Sequence, residues 1–149
     1  MLIKTHLAIT FAFILLFIDS VEYKLVFVVV AFIATYVPDI DSRYSTLGRK
    51  KINRILQLFT KHRGMIHSFT FLLSITFFLT LFWPVVAFGF FLGYSLHLFA
   101  DSFTKEGIKP FYPNKIVSRG LVKTEGNLEI TILVVFVVLD ALLILQKLI

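Results

Sequence analysis

Apolar residues fill five long blocks of this chain, and the polar positions gather between them. The blocks run from about Leu2 to Ile18, Val21 to Val37, Met65 to Phe82, Val85 to Phe103 and Leu128 to Leu148. None shows the strict alternation of a half-buried strand, and their length favours helices that are apolar all round. Pro38 closes the second block, because proline disfavours helix in the residue before it. Pro84 separates the third from the fourth. Several blocks are near the lower limit of roughly 17 residues for a crossing helix. The first two could be a tilted pair or a partly re-entrant hairpin. On the fourth, Gly89 and Gly93 form a small-xxx-small pair that permits close helix approach. Asn127 reads as the N-cap of the fifth, with Glu129 in its first turn complementing the helix dipole. The pattern predicts an all-α integral membrane protein: one domain over residues 1–149, with a bundle of about five transmembrane helices.

Composition sharpens this picture. The 149 residues are 58% hydrophobic with 18 Phe and only 16% charged, which excludes an ordinary soluble domain. Mean hydropathy is +0.88. No small-residue cleavage pattern follows the first block, and Asp19, Glu22 and Lys24 lead straight into the second. The first block is therefore read as a helix, not a signal peptide. The net charge of +6 reflects two basic loops, so it sets topology and does not indicate a nucleic-acid partner. Arg43, Arg49, Lys50, Lys51, Arg54, Lys61 and Arg63 lie in one loop; Lys105, Lys109, Lys115, Arg119 and Lys123 lie in the other. The positive-inside rule places both in the cytoplasm, with the N-terminus inside and the C-terminus outside. Between Ser45 and Thr60, apolar Leu47, Ile52, Ile55, Leu56 and Phe59 recur at helical spacing beside basic residues. That predicts a cytoplasmic interfacial helix able to attract anionic phospholipid, or else a plain solvated basic loop. With no Cys, thiolate ligands and Cys nucleophiles are excluded.

On this topology the chemistry collects at one face. His6 starts the first helix, Asp39 and Asp41 end the second, His62 and His67 flank the start of the third, His97 and Asp101 end the fourth, and Glu125 and Glu129 start the fifth. His97 and Asp101, four apart, share one helix face. Each residue has an ordinary account: an interfacial histidine, a turn-capping aspartate, a hydrogen-bonded His–Asp pair, a dipole-matched glutamate. Together they predict a divalent-metal site with His6, Asp39, Asp41, His62, His67, His97 and Asp101 as ligands. The donor set suits zinc first, as one to three ions, with manganese or iron also compatible. Seven donors exceed one tetrahedral shell and fit two ions bridged by a carboxylate. An aspartate such as Asp41 would bridge or act as general base. Arg63, and less directly Lys123, would hold an anionic substrate oxygen.

The pieces that carry this site resemble the YdjM-like family, whose members are described as membrane-bound metal-dependent hydrolases. The matching stretches are His6; Pro38-Asp39-Ile40-Asp41; His62-Arg63-Gly64-Met65-Ile66-His67-Ser68; and Gly93-Tyr94-Ser95-Leu96-His97-Leu98-Phe99-Ala100-Asp101, continuing through Thr104, Gly107 and Pro110. Thr124-Glu125-Gly126-Asn127-Leu128-Glu129 resembles the family's Thr-Gly-Ser segment before an acidic residue. It departs by the inserted Glu125 and by Asn127 in place of Ser. The resemblance implies a multi-helix membrane hydrolase built on these His and Asp residues, with Glu129 carried into the catalytic set. A looser similarity to zinc-dependent phospholipases C implies a phosphoester or lipid substrate.

The expected function is thus hydrolysis of a phosphoester or lipid at the cytoplasmic membrane face by a metal-activated water, with membrane lipid as partner. The alternatives are a divalent-metal transporter, which should continue its polar residues across the membrane, and a non-catalytic scaffold with a structural His/Asp cluster. Below the cytoplasmic layer the sequence offers only Asp140 and a few hydroxyls. Asp140, a mid-membrane acid, is a functional candidate, but the favoured reading is structural: neutral, or paired with Lys24 or Tyr23 near the outer face. Thr35, Ser74, Thr76 and Thr80 are read as helix-to-helix hydrogen bonders or back-bonders to their own helix. No His-Glu-x-x-His segment is present, which argues against a metalloprotease of that type.

Overall fold

A computed structural model describes residues 1–41 and 64–149. Among the described residues the chain forms five α-helices and no strand: α1 (Ile3–Phe17), α2 (Lys24–Tyr36), α3 (Phe69–Phe82), α4 (Pro84–Ser102) and α5 (Asn127–Leu148). Short 3-10 turns follow α1 at Ile18–Ser20 and α2 at Pro38–Asp41. The expected interfacial helix between Ser45 and Thr60 lies outside the described residues.

Among the described residues three helices are long and apolar enough to cross a membrane: Ile3–Ser20, Pro84–Ser102 and Asn127–Leu148. That is fewer than the five crossings the apolar blocks imply. At 13 and 14 residues, α2 and α3 are about 20 Å long against a hydrocarbon core of about 30 Å.

The ends of the elements have local causes. α3 begins at Phe69, not Met65, because Ser68 is extended and takes the N-cap. Its hydroxyl accepts from the Phe71 N–H at 3.2 Å and donates to the Met65 carbonyl at 2.5 Å. α4 starts with Pro84 in its first turn, where a missing N–H costs nothing. Asn127 is already helical, so it is not the cap of α5; Gly126 holds that position without a side-chain bond.

The helices alternate in direction. His6 lies in the first turns of α1, Asp39 just past α2, His67 just before α3, Asp101 at the end of α4 and Glu129 in the first turn of α5. One end of the bundle therefore receives all of them. At the other end Asp19 is bonded by both Lys24 (3.4 Å) and Lys147. Lys24 is thus engaged with Asp19 and not with Asp140, one of the partners the sequence offered.

α4 packs against α1, α2 and α3, and α5 lies along α1. The α2–α4 contact is the closest of these for a steric reason. A Cβ on Gly93 would sit 2.0 Å from the Ala31 carbonyl oxygen, and one on Gly89 would sit 2.9 Å from that of Phe27. The small-residue pair read from the sequence is what lets the backbones meet. Above and below it, Ala34, Leu72, Tyr94 and Leu98 form one buried cluster, and Ile14, Phe27, Ala31 and Leu92 another.

The outer faces are apolar. α3 buries only Leu72, while Leu73, Phe77, Phe78 and Leu81 are exposed. On α5 the two buried residues are its acids, Glu129 and Asp140, and the exposed ones include Val134, Val138, Leu142 and Leu145. Polar inside and apolar outside is the arrangement expected of helices in hydrocarbon.

Gly93→Ala is expected to destabilise the protein by roughly 1–3 kcal/mol through overpacking of α2 on α4. Gly89→Ala should cost less, since its new methyl meets backbone at the longer distance. Thermal unfolding in detergent, followed by circular dichroism, ranks the two; equal or stabilising effects would contradict this packing.

Candidate metal centre

Four elements deliver the polar cluster. His97 and Asp101 occupy the last two turns of α4, both buried. His6 projects from the start of α1 and is buried. Asp39 sits in the turn that Pro38 initiates, with its side chain one-fifth exposed. His67 lies in the turn before α3 and is fully buried. That turn is held by the Tyr94 hydroxyl, which donates to the Ile66 carbonyl at 2.7 Å, and by the Phe69 N–H, which donates to the Pro110 carbonyl at 2.8 Å.

The side chains converge as two overlapping groups, His6–His97–Asp101 and Asp39–His67–His97. Within each, one donor atom per residue lies within 4.8 Å of the others. His6 Nε2 is 3.3 Å from Asp101 Oδ1. His97 Nε2 is 3.8 Å from Asp101 Oδ2 and 3.9 Å from Asp39 Oδ1. His67 Nε2 is 3.9 Å from Asp101 Oδ2 and 4.0 Å from Asp39 Oδ1. The His6 and His97 rings stack at 3.9 Å. The α-amino group of Met1 donates to Asp101 Oδ1 at 2.6 Å.

His97 decides what this cluster can do. Its Nδ1 is 2.8 Å from the Thr35 carbonyl oxygen. A carbonyl only accepts, so Nδ1 carries the proton and Nε2 presents a lone pair to the cluster. The Thr35 carbonyl is available because it lies in the last turn of α2, where carbonyls lose their regular helical partners and Pro38 has no N–H to offer. Yet His97 Nε2 is buried and has no hydrogen-bond partner among the described residues. At 3.8 and 3.9 Å the two carboxylates are too far for a hydrogen bond. They are at the spacing of ligands on a common ion: with bonds of about 2.1 Å in tetrahedral array, donors stand about 3.4 Å apart. A buried, lone-pair-bearing nitrogen surrounded by carboxylates and two further imidazoles fits a divalent cation, and these residues could hold one. Burial also pushes the Asp39 carboxyl above its ordinary range, against the pull of neighbouring His6 and His67; a bound cation would favour its ionised form.

The sequence profile of the YdjM inner membrane protein family matches residues 1–147. The chain belongs to that family. No curated protein and no solved structure matches it.

Of the residues proposed from sequence, the structure of this YdjM-family chain brings together His6, Asp39, His67, His97 and Asp101. His62, Arg63 and the side chain of Asp41 lie outside the described residues. Glu129 is in neither group. Its Oε1 accepts from the Leu2 N–H at 2.5 Å and the Thr5 hydroxyl at 3.1 Å, and its Oε2 from the Glu125 N–H at 2.7 Å. Glu125 adopts a φ of 62° to make that contact. Glu129 therefore ties the start of α1 to the start of α5, which sets the place of His6. Asp140 is buried, and its Oδ1 has no hydrogen-bond partner among the described residues.

The supporting residues were only partly legible. Thr35 behaves as expected through its hydroxyl, which donates to the Ala31 carbonyl at 2.9 Å and meets the Thr10 hydroxyl at 2.9 Å. Ser74 and Thr80 bond back to their own helix. The roles of the Thr35 carbonyl and of Tyr94 were missed. Tyr94 gave a signal in hindsight, being a hydroxyl three residues before His97 inside an apolar helix.

Glu129→Ala is expected to lower stability by roughly 2–3 kcal/mol, since it strips a charged acceptor from buried donors. Metal content measured well below the unfolding midpoint should stay at the wild-type level. Loss of metal without loss of stability would instead make Glu129 part of the metal site.

Proposed function

We propose that this protein is a membrane-bound, metal-dependent hydrolase acting on a phosphoester or lipid substrate. The observation that carries the reading is the buried His97 Nε2, held with its lone pair toward Asp39 and Asp101 by the Thr35 carbonyl. In this reading His6, His67, His97, Asp39 and Asp101 hold the ion, zinc first and manganese or iron as alternatives. With Nδ1 committed to Thr35, His97 serves one ion only, so the two overlapping groups cannot both be filled through it. His62 and Asp41 are the candidate ligands for any further ion. The chemistry an ion supplies here is Lewis acidity, which polarises a phosphoryl oxygen and makes water nucleophilic near neutral pH.

The chain's own residues do the rest. Asp39 is the most exposed of the five and faces arriving substrate; either it or Asp41 receives the proton that water loses. Arg63 is assigned to an anionic oxygen of the substrate. Burial of His6, His67, His97 and Asp101 excludes bulk water and strengthens each electrostatic contact. A substrate that partitions into the bilayer suits a site at the end of a helical bundle with apolar outer faces. We place this end in the cytoplasm from the basic loops, with all five helices alternating across the membrane and the C-terminus outside.

Elemental analysis of detergent-purified protein tests the site. Wild type should carry one to three equivalents of zinc, manganese or iron, and His97→Ala and Asp101→Ala should lose most of it. Chelation should lower the wild-type unfolding temperature and leave that of the variants unchanged. A metal-loaded protein that hydrolyses no phosphoester or lipid would leave the transporter reading. No stoichiometric metal after chelator-free purification and add-back would leave the structural scaffold.

The absence of Cys makes orientation directly measurable. Lys115→Cys should react with an impermeant maleimide only in inverted membrane vesicles, and Ile149→Cys only in right-side-out ones. The reverse pattern would invert the topology.

A further inference from the structure

We propose that the segment between α4 and α5 is a folded, membrane-surface element that inserts apolar side chains among anionic lipid headgroups. This is separate from the metal site and needs only that α4 and α5 cross the bilayer.

The segment is cross-linked by its own backbone bonds and packed on the bundle, where Ile108 joins the cluster of Ala34, Leu72, Tyr94 and Leu98. Lys105 donates its N–H to the Val122 carbonyl (2.9 Å), Val122 to Phe103 (3.0 Å) and Gly120 to Thr104 (3.0 Å). Further out, Ile108 and Ser118 exchange N–H···O bonds at 3.0 and 2.9 Å. Thr104, Ile108 and Val122 are buried beneath these links. Gly107, at φ +68°, permits the turn; a Cβ there would meet the Ser118 carbonyl at 2.1 Å. The Thr104 hydroxyl donates to the Asp101 carbonyl (2.7 Å) and accepts from the Gly107 N–H (3.2 Å), so the element is joined to the end of α4.

What this ordered element shows to the outside is unusual for a water-facing loop. Phe111, Ile116 and Leu121 are 63, 66 and 81% exposed. Between and around them stand five cations, Lys105, Lys109, Lys115, Arg119 and Lys123, against two acids, Glu106 and Glu125. Large apolar side chains held outward on a folded element, with cations interleaved, match the boundary between acyl chains and headgroups. The flanking helices fix the height. α4 ends at Ser102 and α5 starts at Asn127, so both ends of the segment are at one membrane face. The apolar residues then reach the acyl boundary while the long basic side chains extend to headgroup phosphates. Each cation that comes near an anionic surface contributes a factor of roughly five to the attraction, and five of them select acidic over zwitterionic lipid.

The test places a fluorophore on the surface in question. The full chain carries one Trp, Trp83, so Leu121→Trp and Ile116→Trp are made in a Trp83→Phe background. Each protein is reconstituted in nanodiscs of phosphatidylcholine with or without phosphatidylglycerol, some lipids brominated near the headgroup end of the acyl chain. The expected result is quenching of both tryptophans by bromolipid, deeper with phosphatidylglycerol, and little quenching by aqueous iodide. A triple variant, Lys109→Gln, Lys115→Gln and Arg119→Gln, should keep its helical circular dichroism and lose the phosphatidylglycerol dependence. Full iodide accessibility without bromolipid quenching would overturn the proposal and assign the surface to a soluble partner. Lipid dependence that survives the triple variant would overturn the role of the cations.

Discussion

The bond from His97 Nδ1 to the Thr35 carbonyl is the contact on which the site depends. It joins the end of α4 to the end of α2 and orients the imidazole edge that faces the cluster. It also settles the tautomer, because a carbonyl oxygen has no proton to give. The cost is a second nitrogen, buried and without a hydrogen bond among the described residues. Leaving a polar atom in that state costs about 1–3 kcal/mol unless something binds it. A cation between carboxylates and imidazoles would relieve that cost, and these residues could hold one.

That bond needs α2 and α4 to lie very close. Gly89 and Gly93 supply the approach, with Ala31 and Thr35 on the facing helix. The Thr10 and Thr35 hydroxyls meet at 2.9 Å and draw α1 into the same contact. Glu129 then fixes α1 against α5 by taking the Leu2 and Glu125 N–H groups and the Thr5 hydroxyl. The polar bonds of this bundle thus hold the helices together through backbone carbonyls, hydroxyls and the Glu129 carboxylate, and they position the imidazoles and carboxylates of the cluster. Such bonding is economical in hydrocarbon, where interhelical polar contacts compete with no water.

The same logic orders the exterior. α5 turns its two acids inward and its valines and leucines outward, and α3 exposes Leu73, Phe77, Phe78, Leu81 and Phe82. Among the described residues, the 103–126 segment mixes exposed apolar side chains such as Phe111, Ile116 and Leu121 with basic ones on a folded frame. The short α2 and α3 pack beside the longer α4.

Much of this was legible in the residues. Apolar block length gave the five helices and the membrane environment, because hydrocarbon accepts no unpaired backbone and leaves few alternatives to helix. Reading each apolar block as a crossing, with both basic loops on one side, gathered His6, Asp39, His67, His97 and Asp101 at one end. The Gly89–Gly93 spacing marked the close contact correctly. Other matters depended on atoms far apart in sequence. Glu129 entered the catalytic set only through the family resemblance, and nothing in its own segment showed that its oxygens accept from Leu2, Thr5 and Glu125. Lys24 read as a partner for Asp140 and instead meets Asp19. Asn127 read as a cap and is helical, since the cap position fell to Gly126. Periodicity and charge report what a segment prefers alone, whereas the partner of a buried polar group is chosen by which helices touch, and at what height.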